Sequence, residues 1–246
     1  RLRFEVRPID GGASIPIVMP RGTSAQSFSA DGFGVMAVDN EWKSTVQVLS
    51  LDGGTPRTLI SGGHHWPEAW MPDASSLITD RATGDGMIVE AIPVGGGAPI
   101  KSVETPAEAA DGGWHSSVGP WYSYRIQVGE GNDELHAVNV FTGERRRIAS
   151  SSFRRPIAGR GGFENDANRW IYFTKTAASI ELRAVDPATG NSDVLRTFDG
   201  PLPFATNTGV HVHGSMIAYL TPPRSDSMDL VVAPGNAPAR RIATFP

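Results

Sequence analysis

Six glycines set the frame of this chain. Gly11, Gly53, Gly96, Gly143, Gly190 and Gly235 each sit in a turn between two short apolar runs, at intervals of 42, 43, 47, 47 and 45 residues. Recurrence at that period marks stacked modules and constrains the fold more than any local propensity does. The same order of segments returns in each interval. A turn closes a short segment, as in "SFSADG" ending at Gly32, "AWMPDA" at Ala74, "ENDAN" through Ala167 and "VHVHG" at Gly214, with the degenerate "SSVGP" between. A strand-like run follows: "FGVMAV", "SSLITD", "WYSYRIQV", "RWIYFT" or "SMIAYL". After a polar loop a third run leads into the marker glycine, as in "TVQVLSLDGG" and "MIVEAIPVGGG", and a fourth ("TPRTLIS", "RRRIASS", "SDVLRTF") ends the unit.

Four runs of β-branched and aromatic residues, punctuated by Gly, Asn, Asp and Pro, predict a four-stranded antiparallel meander. No stretch carries a capped 3.6-residue period, so helix is expected to be nearly absent. Four strands per 42–47 residues, stacked radially, predict an all-β fold, a β-propeller of four-stranded antiparallel blades. The expected organisation is one domain over 1–246: a half blade at 1–20, then blades at 21–62, 63–106, 107–151, 152–200 and 201–246. Five full repeats plus a half blade are read as a six-bladed propeller whose missing inner pair lies upstream of Arg1 or is absent. The rival is a five-bladed ring with an N-terminal hairpin packed outside it.

Composition narrows the function classes. The formal net charge is -4, so there is no basic excess to hold a nucleic-acid backbone. The absence of cysteine removes disulfides, zinc ribbons and thiol catalysis. No apolar run reaches the length of a membrane-spanning helix. The chain starts at Arg1 with no charged-then-apolar leader, which suggests removal of a signal peptide or a larger upstream region. The G-x-S-x-G, H-E-x-x-H, G-x-x-x-x-G-K-[ST] and strand-linked G-x-G-x-x-G patterns are all missing.

The blades "FSADG…VMAV…VQVLSLDGGTPRTLIS" and "WMPDASSLITD…IVEAIPVGGGAPIKSV" resemble the Ser-Pro-Asp-Gly blades of TolB-type propellers. The same blade type occurs in the propeller domains of prolyl-oligopeptidase-like enzymes. The resemblance covers almost the whole chain, although the third to fifth units lack a clean Pro-Asp-Gly. It implies a bacterial envelope or periplasmic role in protein interaction, or service as the recognition domain of a larger sensor, kinase or peptidase. A peptidase would need a separate hydrolase domain, for which this chain has no room.

The candidate residues follow from blade geometry. The first strand of a propeller blade borders the axial channel, and His64, His65, His115, His211 and His213 fall on or just before such strands. His136 falls on a third strand. In "HVH" the two imidazoles share a strand face, about 6.5–7 Å apart. Imidazoles from several blades could bind an acidic ligand or hold a divalent metal, although the expected reading contains no metal or other cofactor. Some propeller lyases of pectic fragments are similar in their His-x-His pair, and they supply the alternative: a metal-dependent enzyme, with Arg81, Arg125 and Arg160 as candidates by type only. Glu41 and Trp42, in the loop "DNEWKS", are the candidate partner face, because an exposed indole among polar neighbours suits an interface anchor. Trp70 and Trp170 are expected in the core. The arginines from Arg145 to Arg160 are expected to guard an outer strand edge, and the acidic pairs such as Asp80 with Asp85 to be solvated turn residues. The function expected overall is a non-catalytic binding module, extracytoplasmic rather than cytoplasmic, that takes a protein partner or small ligand at a loop face or in the channel.

Overall fold

The structure is a computed structural model. It describes residues 4–6, 13–17, 23–29, 34–39, 45–50, 55–62, 65–109, 116–128, 133–149, 153–154, 169–175, 179–199, 210–213, 216–221, 227–235 and 237–245. A two-stranded antiparallel sheet comes first, β1 (Phe4–Val6) with β2 (Ile15–Ile17). Five four-stranded antiparallel sheets follow, each with its strands in chain order. The first holds β3 (Thr23–Phe28), β4 (Gly34–Asp39), β5 (Val46–Ser50) and β6 (Arg57–Ile60). The second holds β7 (His65–Trp70), β8 (Ser76–Thr83), β9 (Gly86–Pro93) and β10 (Lys101–Glu104). The third holds β11 (Ser116–Val118), β12 (Trp121–Gln127), β13 (Asp133–Asn139) and β14 (Arg145–Ala149). The fourth holds β15 (Phe153–Arg154), β16 (Trp170–Lys175), β17 (Ile180–Val185) and β18 (Ser192–Phe198). The fifth holds β19 (Val210–His213), β20 (Met216–Leu220), β21 (Met228–Pro234) and β22 (Arg240–Phe245). Among the described residues, the only helical element is a single 3-10 turn at Ala107–Ala109.

The marker glycines recur for a backbone reason. Gly96, Gly143, Gly190 and Gly235 have φ of 84°, 74°, 79° and 49°, in the left-handed region that a side chain disfavours; Gly53 lies outside the described residues. A second device repeats beside them. A bulge falls between Leu135 and His136, between Leu182 and Arg183, and between Leu230 and Val231, so the outer strand gains a residue at the same place in the last three sheets.

The chain forms two compact units, residues 1–110 with 140–143, and residues 111–139 with 144–246. In the first unit Val46 and Val48 of β5 pack against Trp70 and Leu77 of the second sheet. In the second unit Val118, Trp121 and Ala137 meet Trp170, Tyr172 and Val185 of the fourth sheet. On the fourth sheet's other face Ile171, Leu182, Ala184 and Phe198 meet Ile217, Tyr219 and Val231 of the fifth. The core is thus sheet laid on sheet, and each fully buried aliphatic side chain there contributes about 1.5–3 kcal/mol. Trp70 and Trp170 are core residues, as expected.

Arginines fasten successive sheets of the second unit. Arg146 on β14 lies over the Trp121 ring, its guanidinium 5.1 Å from the ring centroid, and donates to the carbonyls of Pro187 and Ala188 in the β17–β18 turn. Arg196 on β18 lies over Phe198 and donates to the carbonyls of Gly235 and Ala237 in the β21–β22 turn, at 2.6 and 3.0 Å. β14 and β18 therefore each hold the marker turn of the following sheet through backbone oxygens.

Candidate functional site

The second sheet gathers a polar cluster on one face. His65 opens β7 and pairs with Arg81 of β8; Thr79 pairs with Glu90 of β9. Directly opposed residues and their i+2 neighbours share a face, so His65, Thr79, Arg81 and Glu90 lie together. Trp70 and Leu77, opposed in the same register, put that face toward the first sheet. Glu90 Oε2 lies 3.8 Å from His65 Nδ1 and 3.5 Å from Arg81 Nε, with the carboxylate 10% exposed and the imidazole 13%. Nδ1 itself is buried without a hydrogen bond.

Burial pushes His65 below its ordinary 6.5; the Glu90 carboxylate opposes this most strongly, Arg81 reinforces it, and Asp80 opposes it. The ring is therefore neutral at neutral pH, a weak base beside a buried carboxylate, and gains charge only in acid. Asp80 is a correction to the turn-residue expectation. β8 extends through it, it pairs with Val89, and it is fully buried.

A second polar group spans the third sheet. Tyr124, His136 and Arg147 oppose one another across β12, β13 and β14. The Tyr124 and His136 rings stack at 5.7 Å and 23°. His136 Nε2 donates to Glu134 at 2.9 Å, and Arg147 donates to the other oxygen of that carboxylate at 3.1 Å. The hydrogen bond from His136 holds the Glu134 carboxyl below the usual range; burial opposes it, and the hydrogen bond and charge of Arg147 reinforce it. Burial pushes the Tyr124 phenol up.

Of the residues singled out by sequence, His65 lies in the cluster just described. His211 and His213 lie on β19, in register with Ala218 and Met216. His64, His115, Glu41 and Trp42 lie outside the described residues. His65 belongs to the first unit and His211 and His213 to the second. Among the described residues no three His, Asp or Glu are grouped so as to hold a metal ion. No described helix is long and apolar enough to cross a membrane. Sequence reasoning missed Glu90, and read Glu134 with Asp133 as a solvated turn residue, whereas it lies on β13 and takes His136 and Arg147. A usable signal existed for Glu90, a lone charge inside the apolar run "MIVEAIPV". Of the arginines expected at an outer edge, Arg145, Arg146 and Arg147 lie on β14, Arg146 and Arg147 with specific partners; Arg154 lies instead on β15, the first strand of the fourth sheet, and Arg155 and Arg160 lie outside the described residues.

No family model matches the sequence, and no curated protein matches it. Solved structures do. A structure described as TolB from Agrobacterium tumefaciens is 13% identical with a TM-score of 0.58, over 95% of this chain and 85% of that one. The β-propeller domain of the trilobed protease from Pyrococcus furiosus is 11% identical with a TM-score of 0.64, over 97% of this chain and 73% of that one. A puromycin-hydrolysing peptidase from Mycobacterium tuberculosis is 16% identical with a TM-score of 0.64, over 99% of this chain but only 44% of its own. At these identities the likeness carries the fold alone, an all-β fold of propeller type that binding proteins and peptidases share.

Proposed function

We propose that this chain is a non-catalytic β-propeller recognition module. It is read as a single domain over 1–246, six-bladed with one blade incomplete, acting outside the cytoplasm on a protein partner or small ligand at a loop face or the axial channel. One observation carries the reading. Over 97% of its length the chain is similar to the β-propeller domain of a protease, and over 95% to a TolB structure. A rigid sheet scaffold with variable loops serves recognition well, since affinity then depends on loop side chains alone. Glu41 and Trp42 are the proposed partner-facing residues, and His64, His65, His115, His211 and His213 the proposed channel-facing ones.

The test pairs two measurements on protein purified without a histidine tag. Elemental analysis before and after chelator is expected to find no stoichiometric metal. A partner identified by crosslinking and then purified is expected to lose affinity for the Glu41→Ala, Trp42→Ala double variant, with the melting temperature unchanged. Near-stoichiometric metal that disappears in a His211→Ala, His213→Ala variant, together with unsaturated product released from oligouronides, would sink the reading and establish a lyase.

A further inference from the structure

One face of the second sheet carries polar atoms that the chain itself leaves unsatisfied. His65, Arg81 and Ile88 oppose one another across β7, β8 and β9, and Pro67, Thr79 and Glu90 form the next row on that face. One row further, Trp70 and Leu77 pack against the first sheet, and both sheets belong to the first unit. Thr79 is fully buried and its Oγ1 has no hydrogen bond; the buried Nδ1 of His65 has none either. Among the described residues, no hydrogen bond reaches the Glu90 carboxylate. Its two basic neighbours stand off, Arg81 Nε at 3.5 Å and His65 Nδ1 at 3.8 Å, beyond the about 2.7–2.9 Å of a charge-assisted bond. Leaving buried polar atoms unpaired is costly, so three that converge in adjacent rows mark the place of a hydrogen-bonding guest.

We infer that this face binds a neutral, polyhydroxylated ligand, a sugar ring that presents adjacent hydroxyl groups to Glu90, Thr79 and His65. The inference rests on the channel-facing reading of His65 proposed above and supplies its ligand class. Charge decides that class. Glu90 and Arg81, side by side with a neutral imidazole, sum to zero. A charged ligand group there meets one opposite and one like charge at similar distances, so attraction nearly cancels while the cost of desolvation stays. A hydroxyl both donates and accepts. One such oxygen, about 2.8 Å from each partner, fits beside a pair 3.5 Å apart, donating to Glu90 Oε2 and accepting from Arg81 Nε. A second hydroxyl on the neighbouring carbon then meets Thr79 Oγ1, on the residue directly opposite Glu90. Pro67 and Ile88, both half-buried, offer apolar surface to the C–H groups of the ring. The Arg81 side chain, 35% exposed, forms the solvent end of the face, and Thr79 its closed floor.

The probes are the methyl pyranosides of glucose, galactose and mannose, with methylammonium and acetate as charged counterparts. Each is titrated into the intact protein carrying isotope-labelled histidine, and the His65 ring resonances are followed by NMR. At least one glycoside is expected to shift them saturably. Glu90→Gln should weaken that glycoside at least about tenfold, and Thr79→Val about two- to tenfold. Thr79→Val keeps the side-chain shape and removes only the hydroxyl, so it carries the test should Glu90→Gln misfold. Silence toward all three glycosides overturns the inference, because the unsatisfied atoms would then hold water alone. So does a response that ignores both variants, or tighter binding of methylammonium or acetate. The recognition-module reading is judged separately, by partner affinity in the Glu41 and Trp42 variant, so the two failures are distinguishable.

Discussion

Ala74 offers a sharp test of how this backbone is held. It is the non-glycine residue with positive φ, at 56°, among the described residues. The turn pins it there. Ala74 N–H donates to the Met71 carbonyl at 2.8 Å, and Asp73 Oδ1 accepts from Ser75 N–H at 3.0 Å and Ser75 Oγ at 2.7 Å. A left-handed conformation costs an L-residue about 1–2 kcal/mol. Ala74→Gly removes that strain but restores about 0.4–1 kcal/mol of unfolded-chain entropy, since glycine has more freedom to lose. The expected balance is a gain of about 0.5–1 kcal/mol, or roughly 1–4 °C in melting temperature for a chain of this length. The mirror experiment is Gly190→Ala, at φ 79° with nothing within 4 Å of the added Cβ, so its effect is backbone strain less the unfolded-chain entropy that alanine removes. It should lose about as much as Ala74→Gly gains. Urea titrations followed by circular dichroism measure both. A destabilised Ala74→Gly, or a Gly190→Ala as stable as the parent, would refute the assignment of strain to these turns.

Three further outcomes are expected. His65 should titrate below 6.5 by NMR; Glu90→Gln should lower its midpoint further and Arg81→Met raise it, and a midpoint deaf to both would contradict the cluster. Because the folded midpoint lies below the unfolded one, the His65 contribution is intact above about pH 6.5, declines as pH falls toward the lowered midpoint, and stays lost below it. His65→Phe should flatten that slope in denaturation midpoints. Arg146→Ala breaks charge-assisted bonds to two carbonyls from a side chain 31% exposed, and should cost about 1–2 kcal/mol. A loss under about 0.3 kcal/mol would demote the fastening to a surface contact. Trp170→Ala, at a position 1% exposed between two sheets, should cost about 3–5 kcal/mol by the same assay.

The strand order was legible because turn chemistry is local. A glycine that must take positive φ announces itself wherever it recurs, and Gly96, Gly143, Gly190 and Gly235 do so. Trp70 and Trp170 were legible as core because alternation along a strand fixes which face a bulky residue takes. Asp80 was not. Whether a strand ends before or after it depends on pairing with Val89, nine residues away, and the residue reads as a turn former until that pairing is known. The His65 cluster was half legible. The histidine fell on a first strand as expected, but its relation to Glu90 needs three strands in register, which no single run of sequence encodes. The fastening arginines looked like edge protection because their partners are carbonyls about forty residues on, and a carbonyl has no letter in the sequence.

That last point bears on inheritance. Arg146 grips Pro187 and Ala188, and Arg196 grips Gly235 and Ala237, solely through main-chain oxygens. Every residue type supplies such an oxygen, so the gripped turn is free to drift in identity while its shape persists. The joints between sheets can thus outlive the sequences that first made them, in keeping with a chain that shares its fold with solved structures at 11–16% identity.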